Sequence, residues 1–385
     1  MEYASQEKPT SIVMIGTLPP LKGISPYCLE LLKSLSKKIR IDFIGFKSLY
    51  PEFLYPGGTK SEERPIENDD PNYRIHNVIK YYNPLSWVRA GLKGNGGVLH
   101  AQWWAQPLAP IFMTIFIVSK IRGKRIVITL HNVEPHENSR YSTLITKSIL
   151  SFGDEFIVHN ESNKEVLSQS YHLNGKKIHV IPHGILRANN SKTLSRDEAR
   201  ESLRLGKTDK VLLFFGNIRD YKGLDTLLEA VGILKNEFTN LKLIIAGKPW
   251  VQWGVYKEII ESTGISRNIV EKLDFIEIDE VNAIFTAVDL VVLPYKYFEA
   301  QSGVGTLALS FNKPIIVTDV GGLPDLVKDE MAIVKPNDPL DLAEKISNIL
   351  KDERLIMKLK KDTRELAQEY EWESIAEKTV QIYTK

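Results

Sequence analysis

Short apolar runs alternate with amphipathic stretches along this chain. Residues 12–15 form one apolar run. A loop over 16–25 follows, and then Ile24, Tyr27, Cys28, Leu31, Leu32 and Leu35 recur at helical spacing. Residues 41–46, 98–101, 125–130, 155–158 and 179–181 predict further strands, with helices between most of them. The pattern restarts at 210–215. It continues through a helix face of Leu224, Leu227, Leu228, Val231 and Leu234, and through runs at 241–246, 290–293 and 314–318. A helix is expected over 303–311 and another over 366–383. Strands alternating with helices predict parallel sheets covered on both faces.

A polar stretch around 186–206, with a short helix expected over 196–203, is the expected hinge. The reading is an α/β chain of two doubly wound, Rossmann-like domains facing across a cleft. Residues 1–187 form the first and 188–365 the second, with 366–385 packing back on the first. The length of 385 residues suits two cores. The stretch 50–70, with Pro51, Pro56, Gly57, Gly58 and Pro65, is expected to be an exposed loop.

Composition narrows the class. The apolar share is 43% and the charged share 25%, an ordinary globular mixture. The single cysteine, Cys28, excludes an internal disulfide framework and falls on an apolar helix face. The first ten residues are polar, so no signal peptide is expected, and the apolar run at 110–118 is too short to span a bilayer. Residues 1–185 carry 22 Lys and Arg against 16 Asp and Glu, and the remainder 28 against 32. That asymmetry suggests an anionic partner such as a membrane surface or a phosphorylated acceptor. Residues 50–55, Tyr-Pro-Glu-Phe-Leu-Tyr, offer aromatics beside Lys47 and Lys60 for such a surface. A cytoplasmic protein, peripheral on the inner face of the membrane, is the expectation.

Four loops carry candidate chemistry. Gly216-Asn217-Ile218-Arg219-Asp220-Tyr221-Lys222-Gly223 lies between a strand and a helix. Helix-start amides and two cations there suit a diphosphate, and the glycines allow close approach. An ordinary turn with solvated cations is the plainer alternative. After the strand at 290–293, Glu299 precedes Ser302, Gly303 and Val304 at a helix start. Their amides suit a phosphate or ribose, and the carboxylate suits sugar hydroxyls; an N-cap serine with a solvated glutamate is the bland reading. His131 follows the strand at 125–130, and His100, His131, His159 and His183 all fall at or just after strand ends. No histidine spacing matches a zinc site, and no Asp-x-Asp pair offers to hold a metal and diphosphate, so neither metal nor cofactor is expected. The loop 16–25 ends in Gly23, Ile24 and Ser25 and lacks a dinucleotide fingerprint.

Together these motifs resemble the retaining glycosyltransferases of family four, of the GT-B fold. The resemblance rests on Gly23, the Thr-Leu-His segment ending at His131, and Ile181-Pro182-His183-Gly184. It continues through Gly216, Arg219, Lys222 and Gly223, then Glu299, Lys313-Pro314-Ile315-Ile316 and Gly321-Gly322-Leu323-Pro324. It implies a UDP- or GDP-sugar donor and a glycan, lipid-linked or small-molecule acceptor, with no nucleic acid. By the same resemblance Arg219 and Lys222 hold the diphosphate, Glu299 contacts the donor sugar, and Gly303 and Val304 offer amides. Gly23 approaches the phosphates and His131 the sugar near the reacting carbon. Ser25 and Asn160 are acceptor-side candidates. The second glutamate of the family's motif is replaced by Leu307. Two other readings stay open: a nucleotide-sugar epimerase on the same fold, and a non-catalytic nucleotide-sugar-binding subunit.

Overall fold

The computed structural model describes residues 11–19, 21, 24–49, 70–133, 140–173, 177–185, 194–298 and 302–384. Gly23, Glu299 and the 50–55 segment lie outside them. The chain divides into two compact units, Met1–Gly184 with Trp372–Lys385, and Ile185–Glu371.

The first unit runs β1 (Ser11–Ile15), α1 (Ser25–Ser36), β2 (Arg40–Ser48), β3 (Tyr73–Lys80), α2 (Pro84–Leu92), β4 (Val98–Trp103), α3 (Ala109–Ile121), β5 (Arg125–Leu130), α4 (Arg140–Leu150), β6 (Glu155–Val158), α5 (Glu161–Ser170) and β7 (Lys177–Val180). Its seven strands order as β3-β2-β1-β4-β5-β6-β7 and pair in parallel. Both sheet faces are covered. Val13 and Ile15 of β1 enter one apolar core, and Ile12 and Met14 enter the other. That is why this strand reads as an unbroken apolar run.

The second unit runs α6 (Arg196–Ser202), β8 (Lys210–Phe215), α7 (Leu224–Leu234), β9 (Leu241–Ala246), α8 (Trp253–Ser262), β10 (Ile269–Lys272), α9 (Ile278–Ala287), β11 (Leu290–Leu293), α10 (Gly303–Ser310), β12 (Ile315–Thr318), β13 (Ile333–Val334), α11 (Pro339–Lys351) and α12 (Glu353–Glu369). Its six parallel strands order as β10-β9-β8-β11-β12-β13. Leu212 and Phe214 of β8 face one core, Val211 and Leu213 the other. In each sheet the winding reverses beside its first strand, between β1 and β4 and between β8 and β11. Ligands of doubly wound sheets bind at such points, outside the carboxyl ends of the strands.

The last helix, α13 (Trp372–Tyr383), returns to the first unit, where Trp372, Ile375, Ala376, Ile382 and Tyr383 complete a core with α1. Gly184 is required there, because a Cβ at that position would lie 2.2 Å from Cε2 of Trp372.

Three expectations need correction. The stretch expected as one helix over 366–383 is two, broken around Tyr370 and Glu371, so the second unit extends to Glu371 rather than 365. Leu366, Ala367 and Tyr370 are held in the second unit's core. The expected hinge also ends too late. The short helix expected over 196–203 is present as α6, but residues 195–206 are built into the second unit: Ser195 caps α6, and buried Arg200 donates to Asp289 at 3.0 Å and to the Ala287 carbonyl at 3.0 Å. His100 sits inside β4, fully buried, and not at its end.

Candidate functional site

In the second unit, three loops converge beyond the strand ends. The loops after β8 and β9 continue the pairing of their strands: Ile218 N–H donates to Lys248 O at 2.9 Å, and Trp250 N–H to Ile218 O at 3.0 Å. Gly223, at φ +66°, has room for no side chain, since a Cβ would lie 1.9 Å from the Pro294 carbonyl oxygen in the loop after β11. Lys296 N–H closes that contact by donating to Tyr221 O at 2.7 Å.

This packing brings Gly216, Lys222 and Val304 together. A Cβ on Gly216 would lie 2.9 Å from Lys222 Nζ and 3.3 Å from Val304 Cγ2. Lys222 is 7% exposed, lies over the Tyr295 ring at 5.6 Å, and has no hydrogen-bond acceptor among the described residues. Burial first, and the neighbouring Arg219 charge second, lower its ammonium to about 8. A mostly buried lysine that meets no acceptor among the described residues is placed to take an anion. Arg219 is exposed and rests its guanidinium 4.6 Å from the Trp250 ring centroid. An open surface depression is lined by Lys248, Pro249, Trp250, Val251 and Gln252. Gly223 opens α7 with no side-chain cap, which leaves first-turn amides for a ligand. Ser302 caps α10, accepting from Gly305 N–H at 3.2 Å, and its hydroxyl also bonds Tyr295. Gly303 is exposed and Val304 half-buried. Leu307 is packed against the core.

In the first unit, His131, His159 and His183 follow three neighbouring strands, β5, β6 and β7. Tyr27 touches all three rings, at centroid distances of 4.6, 5.3 and 4.8 Å. Their hydrogen bonds fix their protons. His159 Nδ1 lies 3.0 Å from the Ile181 carbonyl oxygen, so Nδ1 donates. Burial lowers His159 to about 3, so the ring is neutral and its Nε2 accepts. His131 Nδ1, 3.2 Å away, therefore donates to it. His131 is held well below the usual imidazole range by burial and then by its histidine neighbours, so its Nε2 is an acceptor.

Gln102 lies on the far side of that ring. Its Oε1 is 3.0 Å from His131 Nε2, and its Nε2 is 3.1 Å from His100 Nε2. A half-turn of the amide exchanges the two ends and satisfies both neutral rings. The amide then donates to His131 and accepts from His100, whose Nδ1 accepts from the Tyr383 hydroxyl at 2.6 Å. The bonds then run from Tyr383 on α13 through His100, Gln102, His131 and His159 to the Ile181 carbonyl, with the His100 Nε2–H shared with Thr129 Oγ1, which lies closer at 2.7 Å. Both ring nitrogens of His131 are occupied, so it is not a free general base.

Of the acceptor-side candidates, one caps a helix, yet Asn160 Nδ2 and Ser25 Oγ are both buried without a hydrogen-bond partner among the described residues. Asn160 caps α5 by accepting from Asn163 N–H at 2.7 Å, and Ser25 is fully buried in the first turn of α1. Trp250, Lys248, Gln102 and Tyr383 were not singled out from the sequence. Trp250 and Lys248 carried a usable signal, since they follow a glycine at the end of the strand beside β8.

Comparison with known proteins places these features in a family. Residues 195–369 match the family model described as glycosyl transferases group 1, and residues 21–186 match the model described as glycosyltransferase family 4. The chain belongs to the family-four, group 1 glycosyltransferases. An uncharacterized glycosyltransferase of Methanocaldococcus jannaschii is 29% identical over 238 residues, which cover 60% of this chain and 59% of that relative. A D-inositol 3-phosphate glycosyltransferase of Corynebacterium glutamicum is 23% identical, over 76% of this chain and 70% of that one. Among solved structures, sucrose-phosphate synthase from Thermosynechococcus elongatus superposes with a TM-score of 0.68 at 18% identity, over 97% of this chain and 98% of that one. Anabaena HepE in complex with UDP gives 0.70 at 15% identity, over 97% and 99%. At those identities the likeness is one of fold, the GT-B fold of these glycosyltransferases.

Proposed function

We propose that this chain is a retaining glycosyltransferase that moves a sugar from a UDP- or GDP-sugar to a hydroxyl of a glycan, lipid-linked or small-molecule acceptor, without a metal. The observation that carries this reading is Lys222, a buried cation lacking an acceptor among the described residues, beside Gly216 and Val304. A nucleoside diphosphate supplies the missing charge. Arg219, over the Trp250 ring, is the second diphosphate ligand, and the open start of α7 adds amides. HepE has been solved with UDP and with UDP-glucose, which favours a nucleotide sugar here.

In the reaction, the bond between the sugar's anomeric carbon and the diphosphate oxygen breaks, and a bond to the acceptor oxygen forms on the same face. The acceptor's proton passes to the departing phosphate. Negative charge grows on that phosphate, so cations positioned beforehand stabilise the transition state. Glu299, Gly23 and His131 keep the roles that the resemblance implies, with His131 held in a single tautomer. An acceptor on a membrane lipid would place the protein peripherally at an anionic surface.

A second reading has one observation in its favour. Leu307, where the family has a carboxylate, packs on the core, as it would in a nucleotide-sugar-binding subunit without turnover. The deciding experiment is calorimetry with UDP, GDP and their sugars, followed by turnover in EDTA and NMR of the product anomer. Tight donor binding with turnover in EDTA and retained configuration supports the transferase. Inversion, or activity restored only by magnesium or manganese, would overturn retention or metal independence. Binding with no transfer across a broad acceptor panel would leave the binding subunit.

A further inference from the structure

We infer that the outer face of α2 and α3 is a docking surface for an anionic lipid bilayer. Leu85, Val88 and Leu92 are exposed on α2 at spacings of three and four, which puts them on one stripe. Ile117 and Ile121 form the matching stripe on α3. Leu85 is 70% exposed and Ile121 80%. The stripes flank a single helix crossing. A Cβ on Gly91 would lie 2.7 Å from the Val118 Cβ, and Arg122 donates to the Leu92 carbonyl at 2.8 Å. The opposite side of α3 is rigidly anchored, with Phe112, Ile115 and Phe116 buried in the core. The face is therefore a fixed apolar platform.

Charge chooses the occupant. Residues 71–133, which include both helices, contain eight Lys and Arg and no Asp or Glu, although Lys120 pairs with Asp154, Arg125 with Glu155, and Lys124 is buried. Arg89 and Lys93 are exposed at the end of α2, next to the apolar stripe. A second copy of the chain docking on this face would bring no acidic partner to Arg89 and Lys93 from the same two helices, which contain none. An anionic bilayer neutralises them and takes up the aliphatic side chains, the combination that holds amphipathic helices at interfaces. This deepens the peripheral-membrane part of the proposed function and does not depend on sugar transfer.

The test uses the full chain with sedimenting vesicles of phosphatidylcholine, with and without phosphatidylglycerol. The wild type should bind the anionic vesicles and release them as salt is raised. Leu85→Glu with Ile121→Glu should abolish binding. Arg89→Gln with Lys93→Gln should weaken it about fivefold per cation. Both double variants should keep wild-type affinity for UDP or GDP and a cooperative melt, which shows that they fold. Wild-type binding unchanged in both variants would place the membrane contact elsewhere and overturn this face. No binding of the wild type to anionic vesicles at low salt would overturn the membrane reading as well, leaving donor binding to be judged by calorimetry alone. A dimer by light scattering that Leu85→Glu dissociates would make the face a self-association interface and overturn the inference.

Discussion

In the first unit the turns after β5, β6 and β7 end in His131, His159 and His183, neutral rings that pack on one tyrosine. In the second, the turns after β8 and β9 end in Arg219, Lys222 and Lys248. Both sheets are wound alike, so the topology does not set the difference. The histidines satisfy one another or nearby carbonyls, while Lys222 meets no acceptor among the described residues. A site whose polar groups are already paired is built to hold its own shape. A site whose mostly buried cation meets no acceptor among the described residues is built to be completed by something else.

The largest expected effect comes from removing that charge. Lys222→Met should lower affinity for UDP or GDP roughly ten- to hundredfold, the loss of one charged hydrogen bond of about 1.5–3 kcal/mol. The same change should raise the melting temperature of the unliganded protein, because it removes a buried cation. Calorimetry and thermal melts together decide. A variant that melts lower and binds equally well would mean that Lys222 is a structural cation.

Next in size is the histidine wire. His159→Leu removes the acceptor of the His131 Nδ1 hydrogen and should cost about 1–3 kcal/mol of unfolding free energy. Tyr383→Phe, which removes a donor at the far end, should cost about 1 kcal/mol. Nitrogen-detected NMR of the wild type should show His131 protonated at Nδ1 alone, and His159→Leu should mix the tautomers. An Nε2–H tautomer for wild-type His131 would break the wire as drawn.

pH separates the two regions. Folding keeps His100 and His159 neutral down to about 3, whereas in the unfolded chain they gain protons below about 6.5. The unfolded state thus binds more protons over that window, and stability falls as pH falls through it. The slope is about 1.4 kcal/mol per pH unit for each such ring. Lys222 acts at the other end. Its folded value of about 8 lies below its unfolded one, so its burial penalty is full below 8 and fades as pH rises above it. Nucleoside diphosphate affinity should therefore drop above pH 8 as the free protein loses that charge, at most tenfold per unit. Lys222→Met should flatten the profile. A pH-independent affinity between 7 and 10 in the wild type would count against an anion on this lysine.

The smallest expected effect is at Trp250. Its exposed ring supports Arg219, so Trp250→Leu should weaken diphosphate binding by about 0.5–1 kcal/mol, and Trp250→Phe by less. Titration of both variants checks it. A loss as large as that of Lys222→Met would mean that the indole itself touches the ligand.

Much of this was legible in the sequence, and what was missed has physical causes. The central strands β1, β5, β8, β9 and β11 are covered on both faces, so they stand out as apolar runs. β3, β10 and β13 are edge strands. The four residues of β10, Ile-Val-Glu-Lys, are nowhere fully buried, and β13 has only two residues, so neither leaves a clear pattern. The basic loop was readable because glycine and cation positions lie together in the chain. The histidine wire was not, because Gln102, His131, His159 and Tyr383 come from four separated segments, joined only by strand order and the last helix. Asn160 shows that a polar residue after a strand can serve a helix start, because its Oδ1 caps α5.

The chain leaves the first unit at Gly184 and re-enters it at Trp372. During synthesis the second unit is complete before α13 emerges, whereas the first waits for Trp372 to close over Gly184 and for Tyr383 to reach His100. The unit translated first is thus the one finished last. Until then its β-sheet has an uncovered apolar face where α13 will lie, and a nascent chain stalled before Trp372 would be the species most in need of a chaperone.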